Sequence, residues 1–242
     1  DLIVGHGFTF VDPVLKVAPD FPKSHYFITA GLPPEGDMPA NVGFMQYKSE
    51  QGCYLAGMLA GLMTKSNVIG YVGAQPTPIC LADLAAYKLG AREVNPNVEV
   101  MVVWTGDWAD PAKGREAALT MIDNGADVLI HDADLTGTGA LQAGKERGVY
   151  VIGMVDDQSS IAPDLFLTSV ILNVTKGITE QMAFIEDGTF GGVWKPGLAE
   201  GVIDIAPLGP AVPDDVAKQI TNRRQEIIEG KFEVPAIYEE IE

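Results

Sequence analysis

Basic residues are scarce in this chain. Only 16 Lys and Arg stand against 33 Asp and Glu, a formal net charge of -17. That balance lacks the cationic face that nucleic acid or an anionic membrane surface requires, so neither is an expected partner, and the excess acid reads as a solubilising surface. Cysteine is nearly absent. Cys53 and Cys80 are too few for a disulfide scaffold; two buried free thiols are expected, with a single disulfide as the alternative. The three histidines, His6, His25 and His131, are far apart, and none has a second histidine or a cysteine at ligand spacing, so no metal is expected. There is no Gly-x-Ser-x-Gly elbow and no cysteine in a recognisable nucleophile pattern. No run of about 20 apolar residues is present to span a bilayer, and no signal peptide is recognisable. The chain opens inside an apolar strand, Leu2-Ile3-Val4, which raises the expectation that further sequence precedes it.

What is present is an alternation of apolar runs and helical segments. With 242 residues and 47% hydrophobic content, the chain can bury the core of one large domain or two small ones. The clearest unit runs from Glu99 to Gly139. Val100–Trp104 reads as a strand, Pro111–Asn124 as a helix, and Val128–His131 as a second strand. Asp110-Pro111 is a helix start, a capping carboxylate followed by a proline whose missing N–H costs nothing at the first position. A strand–helix–strand unit of this length places both strands parallel in one sheet. Further strands are expected at Leu2–Val4, His25–Ala30, Val42–Tyr47, Asn67–Gly73, Val149–Val155, Leu165–Ser169 and Gly201–Ile205. Helices are expected at Asp12–Ala18, Ser49–Lys65, about 81–95, about 139–147, about 174–186 and Asp214–Glu229. This pattern predicts an α/β fold with parallel sheets. The Ser49–Lys65 helix is apolar almost all round and carries Gly52, Gly57 and Gly61. It is too short to cross a bilayer, so its glycines are expected to let a buried helix approach a sheet closely.

Ligand chemistry is expected at strand carboxyl ends, where open α/β sheets bind small molecules. Aromatic faces there can stack on a flat ring, and carboxylates can accept from its donors. The candidate ligand-binding residues are Phe8, Trp108, Asp134, Thr136, Asp157 and Asn173. A different class of reading uses the 128–156 unit. Gly137-Thr138-Gly139 follows a strand, and Asp156 ends the next one, which imitates a dinucleotide fingerprint of a nucleotide-dependent enzyme. Gln142 stands where the third glycine belongs, and the polar segment Asp132–Thr136 intervenes where a tight turn is needed.

The segment Val102-Val-Trp-Thr-Gly-Asp-Trp-Ala-Asp-Pro-Ala-Lys-Gly-Arg-Glu-Ala-Ala118, followed by Asn124-Gly-Ala-Asp-Val-Leu129, resembles the basic membrane protein family. Gly5-His-Gly-Phe8 with Asp12-Pro13, Glu50 with Gly52, Ile69-Gly-Tyr-Val-Gly73, Gly153 with Asp157-Gln158, and Thr168-Ser169 match as well, so the likeness covers nearly the whole chain. These are substrate-binding components of ABC importers, many of them binding purine nucleosides or bases. The resemblance implies a two-lobe type I periplasmic-binding-protein-like fold, each lobe a parallel sheet flanked by helices, with the first lobe incomplete. It implies an N-terminal lobe of residues 1–66 plus about 174–198, and a C-terminal lobe of 67–173 plus about 199–242. It further implies no enzymatic activity and no cofactor, hinge closure on a flat heterocyclic ligand such as a purine base or nucleoside, and an ABC permease as partner. The implied location is periplasmic or a cell-surface lipoprotein, with signal and anchor outside this chain. A ligand-sensing domain of the same fold is the remaining alternative. Val155 and Leu172 stand where many nucleoside-binding members carry an aspartate and a lysine that help hold the sugar, which favours a free base or another flat heterocycle.

Overall fold

The computed structural model describes residues 1–241. Strands and helices alternate as the apolar periodicity predicts, and they gather into two units. One comprises residues 1–48 and 173–202, the other residues 49–172 and 203–241.

In the smaller unit, β1 (Leu2–His6), β2 (His25–Thr29), β3 (Val42–Met45) and β9 (Gly192–Trp194) pair in that order, all parallel. Sequence alone marks residues 191–201 only as a glycine-rich connection, because the three residues of β9 are too few to show a period. Side chains alternate across the strands and so give the sheet two apolar faces. Tyr26, Ile28, Val42 and Phe44 meet Val11, Val14 and Leu15 of α1 (Val11–Val17). On the other face, Met45 lies against α6 (Val174–Glu186) at Gly177, where a β-carbon would come within 2.5 Å of the Met45 sulfur.

The larger unit holds β4 (Val68–Gly73), β5 (Glu99–Trp104), β6 (Val128–Asp132), β7 (Tyr150–Val155), β8 (Phe166–Leu172) and β10 (Ile203–Ile205). Their order is β10-β8-β7-β6-β4-β5, parallel throughout except for the antiparallel β10 edge. The strands of the Glu99–Gly139 unit are therefore parallel in one sheet as expected, with β4 between them. On one face, Val72 and Leu129 pack with Ala117, Ala118 and Met121 of α4 (Pro111–Asp123) and Ala140 of α5 (Asp134–Arg147). Tyr71, alternating with Val72, turns the other way and meets Tyr87 of α3 (Pro78–Val94), ring centroids 5.9 Å apart.

The helix α2 (Ser49–Met63), assigned to the first lobe on sequence, belongs to the larger unit. Its glycines explain the difference. A β-carbon at Gly57 would lie 2.1 Å from the Tyr87 carbonyl oxygen, and one at Gly61 would lie 2.7 Å from that of Ala91, so α2 and α3 touch backbone to backbone. Only Gly52 serves a sheet, against Val170 and Ile203. Both cysteines are free and buried, Cys53 on α2 and Cys80 on α3.

Candidate functional site

Strand order reverses at β4, which neighbours both β5 and β6. Such a switch point opens a crevice at the strands' carboxyl ends. Three loops leave the sheet there, after β5, β6 and β7, and they carry four of the six sequence-derived candidates.

The loop after β5 is fastened to the sheet and to α5. The Thr105 and Gly106 amides donate to the Gly73 and Ala74 carbonyls at 2.8 Å each. The Asp107 carboxylate accepts the Ala109 amide at 3.0 Å and pairs with Lys113 at 3.0 Å. The Ala109 amide and then Lys113 hold the Asp107 carboxyl below its ordinary pKa. Asp110 caps α4 as expected, its carboxylate accepting from Ala112 at 3.0 Å and from Lys113 at 3.4 Å. Trp108 is half-buried in this loop, and its carbonyl accepts the Thr136 amide at 3.2 Å.

The segment after β6 departs from expectation. The sequence places a loop through Gly139, but α5 begins at Asp134. Asp134 is exposed on its first turn with φ +43. Thr136 is fully buried, and its hydroxyl accepts the Asp110 amide at 2.8 Å. It joins the Trp108 loop to α5 and does not face solvent. The early helix start also removes the dinucleotide fingerprint. A β-carbon at Gly137 would lie 1.8 Å from His131 Nδ1, and one at Gly139 would lie 1.8 Å from the Pro111 carbonyl oxygen. These glycines admit an imidazole and a neighbouring helix, where the fingerprint needs them open to a pyrophosphate.

Asp157 is exposed in the loop after β7, its carboxylate accepting the Ser159 amide at 2.9 Å. Phe8, in the turn after β1, is 56% exposed. Asn173 caps α6, its side-chain oxygen accepting the Lys176 amide at 2.9 Å. The structure thus brings Trp108, Asp134 and Thr136 together, sets Asp157 on the adjoining strand end, and places Phe8 and Asn173 in the smaller unit.

Backbone strain marks the same edges. Four described non-glycine residues have left-handed backbones, and three of them sit at strand carboxyl ends: Ala30 (φ +55) after β2, Asp134 (φ +43) after β6 and Val155 (φ +76) at the end of β7. A β-branched residue in this region is a true outlier, and such strain, about 1–3 kcal/mol each, concentrates at ligand clamps and active sites.

Beneath the edge lie buried acids, of which sequence reasoning singled out only Asp132, as part of a polar loop. Asp132, the last residue of β6, accepts from the Tyr71 hydroxyl at 2.8 Å, and Asp83 of α3 accepts from Ser49 at 3.0 Å. Burial raises both carboxyls above their ordinary pKa, and the Asp132 charge raises Asp83 further. A raised folded pKa means stability is full below the unfolded value and is lost as pH rises through the folded one. Asp83→Asn keeps an acceptor for Ser49 and removes that loss. Its melting temperature is expected to exceed wild type at neutral pH and to match it in acid; a lower value at neutral pH would refute the assignment. Among the described residues, no group of three or more His, Cys, Asp or Glu side chains is placed to hold a metal ion.

Known proteins share this architecture. A solute-binding protein of an ABC transporter from Conexibacter woesei superposes with a TM-score of 0.77 at 28% identity, covering 99% of this chain and 80% of that one. A purine-binding protein of Brucella abortus is 32% identical over 234 residues, 96% of this chain and 64% of its own length. A candidate ABC transporter glucose-binding protein of Haloferax volcanii is 30% identical, covering 97% of this chain and 59% of its own. The chain thus spans about three-fifths of these two relatives. The family model described as ABC transporter substrate-binding protein, PnrA-like, matches residues 1–238. With a two-unit α/β fold, a sheet flanked by helices in each unit, and that match over almost its whole length, the chain belongs to the Bmp family of substrate-binding proteins.

Proposed function

We propose that this chain acts as the extracytoplasmic solute-binding component of an ABC importer, that it binds a purine base or nucleoside, and that hinge closure on the ligand presents it to the permease. The observation that carries the reading is the carboxyl edge of the larger unit. There a half-buried indole, Trp108, shares an edge with two exposed carboxylates, Asp134 at the left-handed start of α5 and Asp157 in the loop that follows the left-handed Val155. An indole face takes a flat ring, and carboxylates take its N–H and O–H donors. The edge is acidic, which suits an uncharged, donor-bearing ligand better than a nucleotide. The purine-binding name of the Brucella relative supports the same class.

Titration calorimetry against hypoxanthine, inosine and glucose tests the proposal. Hypoxanthine or inosine is expected to bind and glucose to fail. Trp108→Ala is expected to weaken the purine by about 1–3 kcal/mol, the range for base–aromatic stacking. Asp134→Ala and Asp157→Ala are expected to lose about 1.5–3 kcal/mol each for a donor-bearing purine, and less for an analogue methylated at the same nitrogen. Glucose binding without purine binding, or a Trp108→Ala protein of unchanged affinity, would overturn the reading. Equal losses for both analogues would leave the two aspartates as structural groups only.

A further inference from the structure

Gln158 occupies an unusual position beside the Asp157 loop. Its side-chain oxygen accepts the Met154 amide at 3.0 Å, closing a five-residue turn over Val155, Asp156 and Asp157. The same oxygen lies 2.7 Å from His131 Nε2 on β6. An amide oxygen that already takes a backbone N–H can only accept, so Nε2 must carry the imidazole proton. Nδ1 is then a bare lone pair, buried and without a partner, packed beneath Gly137 of α5. The Gln158 backbone amide donates to Ser169 Oγ of β8 at 3.3 Å. Gly153 leaves room for all of this: a β-carbon there would lie 2.2 Å from Ser169 Oγ and 2.6 Å from Gln158 Oε1.

Within the turn closed by Gln158, Val155 has φ +76, and Asp156 and Asp157 are exposed. The imidazole at its other end supports the first turn of α5, which carries Asp134. A single side-chain oxygen therefore ties the loop of one candidate carboxylate to the strand and helix of the other. We infer that Gln158 and His131 are positioning residues of the ligand site: they hold the Asp157 loop in one geometry and in register with Asp134, without touching the ligand themselves. The inference deepens the purine-binding reading and rests on it for the ligand. Side chains that fix a binding loop in advance spare the ligand the entropy of ordering it.

The test uses the full chain with hypoxanthine as probe and hydrogen exchange as a ligand-free measurement. Gln158→Met keeps the side chain's length and removes its acceptor. In that variant, amides 154–158 are expected to exchange faster than wild type, and hypoxanthine affinity to fall about tenfold through lost preorganisation. In an Asp157→Ala background the same change is expected to cost no further affinity, because the clamp acts through Asp157. A purely structural glutamine would lower the melting temperature while leaving the affinity unchanged, or would lose equally in both backgrounds, and either result overturns the inference. Should Gln158→Met fail to fold, His131→Leu compared with His131→Gln, which restores a donor, reads the same clamp; equal affinities in that pair overturn it. A wild type that binds no hypoxanthine defeats the purine reading, and hydrogen exchange still decides the clamp: unchanged protection of 154–158 in Gln158→Met overturns it on its own.

Discussion

Gly57→Ala is expected to destabilise the larger unit by about 3 kcal/mol, despite replacing the poorest ordinary helix former by the best. Propensity alone favours alanine by about 1 kcal/mol in a helix interior. The contact opposes it, because the new methyl would sit 2.1 Å from the Tyr87 carbonyl oxygen. That neighbour is backbone and has no rotamer to change. A reciprocal contact removes the other escape, since a β-carbon at Gly90 would lie 2.1 Å from the Tyr54 carbonyl oxygen. The two helices must therefore separate at their crossing, disturbing the packing around Tyr54, Met58 and Tyr87, all buried. Urea unfolding of the variant measures the loss. A protein as stable as wild type would mean that α2 and α3 can slide apart freely, contrary to this packing.

The second large effect is acid destabilisation through His131. Burial pushes the imidazole from 6.5 down to about 4, only partly offset by its hydrogen bond to Gln158. A depressed folded pKa means that its stability contribution is full above about pH 6.5 and is lost as pH falls toward 4, where the unfolded chain has taken up a proton that the fold refuses. The difference of about 2.5 pH units corresponds to about 3 kcal/mol. Asp83 and Asp132 work in the opposite direction, since their raised pKa values make the fold relatively more stable as they protonate. The informative comparison is therefore wild type against His131→Gln, which keeps a donor toward Gln158 and cannot titrate. Unfolding free energies measured from neutral pH down to about pH 4 should fall more steeply in wild type by about that amount. Parallel curves would show that the imidazole protonates in the fold at its ordinary value.

Much of the architecture follows from sequence because its causes are local. Asp110-Pro111 starts a helix through a side chain and a ring closure within three residues, and the cap is where it was expected. Val128-Leu129-Ile130 is apolar at consecutive positions because β6 is covered on both faces, and consecutive apolar residues are visible in any sequence. The alternation of such runs with helical segments determines an α/β fold with parallel sheets, and the family resemblance rests on motifs spread along the same frame. The carboxyl ends of the strands are then the expected place for Trp108, Asp134 and Asp157.

What sequence could not determine depends on which backbone meets which. Gly57 and Gly52 look alike on one helix, yet one faces a helix and the other a sheet, so only packing assigned α2 to the larger unit. Gly137 and Gly139 imitate a nucleotide fingerprint because glycine marks close approach without naming what approaches; here an imidazole and a helix carbonyl fill the space. Thr136 and Asn173 read as candidate ligand contacts, and tertiary structure commits one to the Asp110 amide and the other to the start of α6. His131 and Gln158 lie 27 residues apart, and neither stands out by type or spacing. Their hydrogen bond exists only because β6 and β7 are neighbours in the sheet. Strand order is a long-range choice, made by the whole core, and no local pattern records it.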